Sequence, residues 1–253
     1  MELTCNFALP MIKAEGIGLT YQSDDGELEA IKNISFSVNE GEIVSVIGPS
    51  GCGKSTLLSI ISGLLAPTYG RIFLRDGGKT GYMLQKDSLF PWRTISKNVM
   101  LGAEIAGLSC VDRAAELLKT YGLWDFKDSF PSQLSGGMRQ RAALIRTLAI
   151  DPSLLLLDEA FSALDYQTRL AVSDDIYSII RREGKTALMV THDISEAVSM
   201  SDRVIVLTRR PAEIKSVYSI SFGDERPSPL KCRKEKAFSE YFNQIWRDID
   251  VHV

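Results

Sequence analysis

Gly48-Pro49-Ser50-Gly51-Cys52-Gly53-Lys54-Ser55-Thr56 is the stretch from which the rest of this chain can be read. It fits G-x-x-x-x-G-K-[ST], the phosphate-binding loop. The run before it, Glu42 to Ile47, is short, apolar and rich in β-branched residues, as a buried strand is. The run after it, Thr56 to Leu65, reads as a helix. Strand, glycine loop and helix in that order are the setting the pattern requires. Gly48, Gly51 and Gly53 let the backbone turn tightly and bring its N–H groups close to a phosphate, with Pro49, Ser50 and Cys52 as the intervening frame of the loop. The helix start adds partial positive charge and unpaired donors. Lys54 is then expected to reach the β- and γ-phosphates, Ser55 to hold Mg²⁺, and Thr56 to assist at the α- and β-phosphates. The stretch predicts a nucleoside triphosphate site without saying what the energy is used for.

Length and composition set the bounds. The 253 residues allow one large domain or two small ones, and 45% apolar residues suffice for a substantial core. Charged residues are 24% and the formal net charge is −3, which gives no electrostatic footprint for nucleic acid. No uncharged apolar run reaches the roughly 18 to 20 residues of a membrane-spanning helix. Met1 to Cys5 shows no basic region followed by an apolar one, so no secretion signal is expected. Cys5, Cys52, Cys110 and Cys232 are scattered without metal-ligand spacing, and reduced thiols in a cytosolic compartment fit them. Cys52 reads as a small loop residue.

Taken in order, Ile12 to Tyr21 and Ala30 to Val38 are expected strands, split by the turn Ser23-Asp24-Asp25-Gly26. Ile31, Ile34, Phe36 and Val38 partly alternate with polar residues, the pattern of an antiparallel strand with one exposed face. Tyr21 is either an adenine-stacking platform or a core aromatic. Arg71 to Leu74 and Tyr82 to Leu84 are short strand candidates, and Gln85 follows directly. In Lys86 to Thr94, three large apolar residues (Leu89, Phe90 and Trp92) crowd beside Pro91. They form either a loop folded onto its own core or an apolar docking groove for a partner.

Thr94 to Ala106 and Val111 to Tyr121 read as helices, with Ile95, Val99 and Ile105, then Val111, Leu117 and Leu118, on their buried faces. Ser135-Gly136-Gly137 opens a further helix running to about Ile150, a second anion site that a single nucleotide domain does not explain. Leu154 to Leu157 followed by Asp158 and Glu159 reads as a central parallel strand buried on both faces. Ligands of such sheets sit at the carboxyl ends of the strands, which aims both acids at the phosphates. One is suited to orient Mg²⁺ through its water shell and the other to polarise an attacking water. Tyr166 to Glu183 is an expected helix, Thr186 to Val190 another buried strand, and His192 stands at its end where a γ-phosphate would be. His252 carries no such context. Ile194 to Met200, Arg203 to Thr208 and Ile214 to Ile220 are a helix and two strands. Lys231 to Lys236 reads as a solvated charge run. Phe238, Tyr241, Phe242, Ile245, Trp246 and Ile249 form an apolar stripe at helical spacing, suited to core docking or to a dimer or regulatory contact.

Together these motifs resemble the ATP-binding cassette (ABC) family over about residues 11–222. Gly48 to Thr56 corresponds to Walker A, Gln85 to the Q-loop glutamine, Leu134-Ser135-Gly136-Gly137 to the signature, and Leu154 to Asp158 to Walker B. Glu159 matches the catalytic glutamate, Asp165 the D-loop aspartate, His192 the H-loop histidine and Tyr21 the stacking aromatic. The resemblance implies an α/β fold: a P-loop NTPase core with a mainly parallel sheet, an N-terminal antiparallel β subdomain and a helical signature subdomain at about 88–150. Residues 223–253 are then a tail with an amphipathic helix. The resemblance also implies ATP and Mg²⁺ as ligands, with Gln85 beside Ser55 and Asp158 at the metal, and Lys54, Glu159 and His192 as catalytic residues. It explains the second anion site. Two copies pack head to tail, and Ser135, Gly136 and Gly137 of one cover the γ-phosphate of the other, with Asp165 at the interface.

Ser88 to Val99 and Leu157 to Asp165 are similar to the ATPases of nitrate, sulfonate, taurine and thiamine-precursor importers. Ala160 and Ser162 stand where that group usually has proline and glycine, and neither change removes a catalytic group. The likeness implies a bacterial importer subunit on the cytoplasmic face of the membrane. A membrane permease would dock at Leu89, Phe90 and Trp92, and a solute-binding protein would act indirectly through it. The alternatives are the motor of an exporter or a soluble, non-transport ATPase. Nothing in the sequence names the transported solute.

Overall fold

The computed structural model describes residues 9–23, 26–107, 110–223 and 226–250. The Met1–Cys5 stretch, Asp24 and Asp25 of the first turn, and His252 lie outside the described residues. Strands β1 (Ile12–Ser23) and β2 (Gly26–Val38) form an antiparallel pair, both longer than expected. Its register shifts between Ala14 and Thr20, which breaks the in–out alternation read from the sequence. Strand β3 (Ile43–Ile47) runs into the glycine loop and helix α1 (Lys54–Ile61). Strand β4 (Tyr69–Leu74) returns to β1, giving a three-stranded antiparallel sheet ordered β2-β1-β4.

After β5 (Thr80–Met83) come α2 (Ile95–Ala106), α3 (Val111–Thr120) and α4 (Gly136–Leu148). Then follow β6 (Leu154–Asp158), α5 (Tyr166–Arg182), β7 (Thr186–Val190), α6 (Ile194–Met200), β8 (Arg203–Leu207) and β9 (Ile214–Ser219). Helices α7 (Pro229–Cys232) and α8 (Lys236–Asp250) close the described chain. The second sheet is ordered β5-β6-β7-β3-β8-β9; all its pairings are parallel except the last, β8 with β9.

The four leucines of β6 show why this sheet is central. Leu155 and Leu157 face a core shared with α2 to α5, while Leu154 and Leu156 face a second core shared with α1 and the antiparallel sheet. A strand covered on both faces has no polar position to spare, which is why it reads as an unbroken apolar run. A third, smaller core lies between β8, α6 and α8, where Ile245 is fully buried and Phe238, Tyr241, Phe242 and Ile249 pack around it. The stripe on α8 therefore docks onto the core, except Trp246, which is half exposed and stacks on Phe242.

Several expectations are corrected. Ile105 and Val111, assigned to buried helix faces, are 80% and 59% exposed. Ile105 lies ten residues beyond Ile95; at about 100° per residue that is roughly 80° off the Ile95–Val99 stripe. Leu89, expected at a docking surface, is 7% exposed and belongs to the core beneath α2 to α5. Within the Lys231–Lys236 charge run Cys232 is fully buried.

Candidate functional site

The sheet topology brings the predicted residues together. Strands β6, β7 and β3 are consecutive neighbours and parallel, so their carboxyl ends share one rim. Register aligns Asp158 and Val46 with the same residue, Val190. The next residues of each strand therefore emerge side by side: Gly48 onward from β3, Thr191 and His192 from β7, and Glu159 from β6.

The glycine loop has the backbone expected of a phosphate cradle. Gly51 and Gly53 adopt φ values of 72° and 122°, conformations that side chains with a Cβ disfavour. A Cβ on Gly53 would also lie 3.2 Å from the Ala30 carbonyl oxygen. Lys54 is buried, and its ammonium donates to the carbonyls of Gly48 at 2.8 Å and Pro49 at 3.0 Å, spanning the loop it would share with a phosphate. Arg210, which the sequence reading missed, donates to Gly51 O from the outer side at 3.1 Å and 2.5 Å. Cys52 is buried and burial pushes its thiol up, the environment of an inert packing residue. Tyr21 is 41% exposed and its hydroxyl lies 3.2 Å from that of Thr56. The ring therefore stands beside the loop as an open platform and not in the core.

Opposite the loop, the Ser55 hydroxyl donates to Asp158 Oδ1 at 2.9 Å, and the Tyr82 hydroxyl donates to Oδ2 at 3.1 Å. Burial raises the Asp158 carboxyl above its usual range, with the two hydroxyls acting against it. Burial, with the Asp158 charge behind it, pushes the Tyr82 phenol up to about 12, so it is a donor and never a base here. Tyr82 was seen in the sequence only as a strand residue; nothing in a four-residue strand advertises a partner 76 positions away. The adjacent Ser55 and Asp158 oxygens are the hard donors a small divalent cation takes. Among the described residues no group of three or more His, Cys, Asp and Glu could hold a metal.

Glu159 has φ 45°, a left-handed backbone unusual for its type, and its N–H is fixed to Val190 O at 2.9 Å. This turns its carboxylate out of the strand line. Oε2 lies 3.2 Å from His192 Nδ1 and accepts from Gln85 Nε2 at 3.3 Å. Gln85 also donates to the Ser162 hydroxyl at 3.2 Å. Gln85 thus meets Glu159, while the Ser55–Asp158 bond closes without it. The acids are not a helix cap, since the next helix begins at Tyr166 with Asp165 as its cap.

The signature residues stand apart from the loop of their own chain. Ser135 caps α4, its hydroxyl accepting from Met138 N at 3.3 Å. A Cβ on Gly136 would meet Leu164 at 3.1 Å, and one on Gly137 would meet Val172 at 2.9 Å. Among the described residues no hydrogen bond or ion pair joins Ser135, Gly136 or Gly137 to the glycine loop. The exposed Trp92, at 71%, lies against the partly buried Phe90 with ring centroids 5.0 Å apart. Their loop is held from beneath. The buried Asn98 amide exchanges hydrogen bonds with Phe90 N and O, and Arg146 of α4 donates to Asp87 O and Ser88 O.

Comparison with known proteins identifies the family. Residues 31–162 match the family described as ABC transporter. An uncharacterised ABC transporter ATP-binding protein of Bacillus subtilis, YtlC, is 44% identical over 91% of this chain and 92% of its own length. The taurine import ATP-binding protein TauB of Yersinia pestis is 38% identical over 91% of this chain and 92% of its own length. Among solved structures, a dimeric post-hydrolysis state of an ATP-binding cassette bound to ADP and Pi superposes with a TM-score of 0.71. It is 32% identical and covers 84% of this chain and all of the other.

Proposed function

The chain belongs to the ABC transporter family and is an ATPase subunit of it, and from that premise we propose that it powers uptake of a small solute through a separate membrane permease. The solute class is nitrate, sulfonate or taurine, or a thiamine-precursor type. The observation that carries the reading is the Phe90–Trp92 surface, an exposed aromatic pair on a loop tied to α4. Since α4 begins at the signature, a load on Trp92 has a rigid route to Ser135, Gly136 and Gly137. Kinship with a taurine import subunit supports the direction of transport. No helix of the described residues is long and apolar enough to cross a membrane. The proposed place is therefore peripheral, on the cytoplasmic face, with the permease on another chain.

Two copies close head to tail in this reading, with Asp165 at the interface. Tyr21 stacks on the adenine, and the Gly48–Thr56 loop wraps the phosphates. The Lys54 ammonium exchanges its bonds to Gly48 O and Pro49 O for phosphate oxygens. Ser55, Asp158 and Gln85 would hold Mg²⁺, which would supply charge neutralisation at the phosphates. Glu159 takes the proton of the attacking water, and His192, its Nδ1 3.2 Å from Glu159 Oε2, orients the carboxylate beside the γ-phosphate. Ser135, Gly136 and Gly137 of the second copy complete the site.

The test is purification of this subunit with its bound partners from detergent-extracted native membranes, followed by mass spectrometry. A multi-spanning permease should be recovered, and ATPase activity should rise when a solute-binding protein and its ligand are added. Recovery of nucleic-acid or ribosomal proteins, or of a permease unresponsive to any binding protein, overturns the importer reading.

A further inference from the structure

The proposal concerns Arg169 of α5, a residue no motif singles out. Its guanidinium sits between two loops that the mechanism uses separately. On one side Nη2 donates to Leu164 O at 2.9 Å and reaches Ser162 O at 3.5 Å. On the other, Nη1 lies 3.7 Å from Asp193 Oδ2 and Nε lies 3.9 Å from Glu196 Oε1. The first loop carries Asp165, and its Leu164 packs beneath Gly136 of the signature. The second carries His192.

The second loop is fully determined by these carboxylates. Asp193 caps α6 through Ser195 N and Glu196 N. Glu196 accepts from the Thr191 hydroxyl at 2.7 Å, and Thr191 in turn accepts from Asp193 N at 3.0 Å. His192 is thus bracketed by two residues held in place by Asp193 and Glu196. The Asp193-x-x-Glu196 spacing is that of a capping box, whose glutamate reaches back to the backbone N–H of the cap residue. Here it is 2% exposed instead, turned inward toward Arg169.

Glu196 Oε1 and Arg169 Nε are both buried without a hydrogen-bond partner. A carboxyl group and a guanidinium facing each other just beyond bonding distance, each with an unsatisfied atom shielded from water, are a costly resting state that a shift of about 1 Å would relieve. We propose that Arg169 is a positioning residue that couples this chain's own γ-phosphate loop, through Asp193 and Glu196, to the Ser162–Asp165 loop and the signature it presents to a second copy. Closure of the pair draws the guanidinium onto Glu196, and movement of one loop is passed to the other. The proposal rests on the two-copy reading given above.

The test is a double-mutant cycle in the full-length chain with Arg169→Ala, Arg169→Lys and His192→Ala, reading kcat and KM for ATP. Arg169→Ala should lower kcat about tenfold with KM within about twofold, as misplacement of a catalytic group does. Arg169→Lys keeps the charge and the fold, but one ammonium cannot reach both loops, so its kcat should stay within about threefold of the alanine variant. In the His192→Ala background Arg169→Ala should cost less than about twofold, because the group it positions is already gone. Effects that multiply independently, or a lysine variant with full activity, overturn the proposal. If the parent chain hydrolyses no ATP, it is the functional reading that fails, and the coupling is then read without turnover. The chain has two histidines, so the His192 imidazole resonances can be assigned with His252→Asn. They should shift and broaden in Arg169→Lys, and unchanged resonances overturn the proposal.

Discussion

Glu196→Gln should stabilise the chain at alkaline pH and leave it nearly unchanged at acid pH. The side chain is 2% exposed, and burial lifts its carboxyl from an ordinary 4.5 to about 7, against the opposing hydrogen bond from Thr191. The Asp193 charge adds to the rise, while Arg169 and His192 reduce it. An acid whose folded pKa is raised holds its proton in the native state while the unfolded chain has released it. Stability therefore falls as pH climbs from about 4.5 to about 7, and the penalty is complete above that window. A rise of that size corresponds to about 3 kcal/mol at about 1.36 kcal/mol per decade. Glutamine keeps an oxygen for Thr191 and carries no charge, so its pH profile should lack that fall. For a chain of this size about 3 kcal/mol is roughly 6 to 12 °C in melting temperature. The assay is thermal unfolding of both proteins from pH 4.5 to 8.5, taking the difference between them so that all other titrations cancel. The difference should be near zero at the acid end and grow in favour of glutamine to a plateau above pH 7. Parallel profiles, or a difference that grows toward acid, would refute the assignment of a buried, unpaired Glu196 oxygen.

Glu159→Gln should reduce turnover by about a hundredfold or more, with ATP affinity unchanged by equilibrium binding, because it removes a proton acceptor and keeps the side-chain shape. Turnover at the parent rate would remove Glu159 from the role proposed for it. Tyr21→Ala should weaken ATP binding by roughly three- to tenfold, the range of an aromatic stacking contact. Tyr21→Phe, which loses only the Thr56 contact, should stay within about threefold of the parent, and equal losses in both would assign the effect to the hydroxyl. Leu89→Ala should cost about 2–5 kcal/mol of stability in denaturant unfolding. Trp92→Ala, at an exposed position, should change stability by under about 0.5 kcal/mol yet abolish permease recovery.

What could be read from the sequence was whatever a single strand or loop states by itself. Leu154 to Leu157 announces a strand covered on both faces, and parallel strands deliver their ends to one rim. The placement of Asp158, Glu159 and His192 around the glycine loop therefore follows almost from the element order alone. Ser135 reads as the start of a second anion site and Asp165 comes only with the family resemblance; the fold adds that each caps the helix after it. Hidden were the side chains whose partners lie far along the chain. Tyr82 is one strand residue among four until β5 is laid beside β6 and its hydroxyl meets Asp158. Leu89 and Trp92 share one short apolar cluster, and only the packed α2–α4 face decides which points inward. Glu196 and Arg169 carry no mark in the sequence, because the groups they face lie in other elements.

Ser162 shows how the two kinds of reading join. It stands where the resembled importers usually have glycine, and from sequence it appeared only as a change that spares the catalytic groups. In the fold its hydroxyl donates to Glu159 O at 3.0 Å and accepts from Gln85 at 3.2 Å. Glycine can make neither bond. Its own carbonyl lies 3.5 Å from Arg169 Nη2, and two residues on, the Leu164 side chain lies beneath Gly136. The Ser162–Asp165 loop is thus touched by Gln85 and Glu159 from one side, by Arg169 from the His192 side, and by Gly136, the signature glycine proposed above to complete the site of a second copy. A loop contacted by all of these cannot move for one without moving for the rest, and the serine hydroxyl adds one more bond holding it to Gln85.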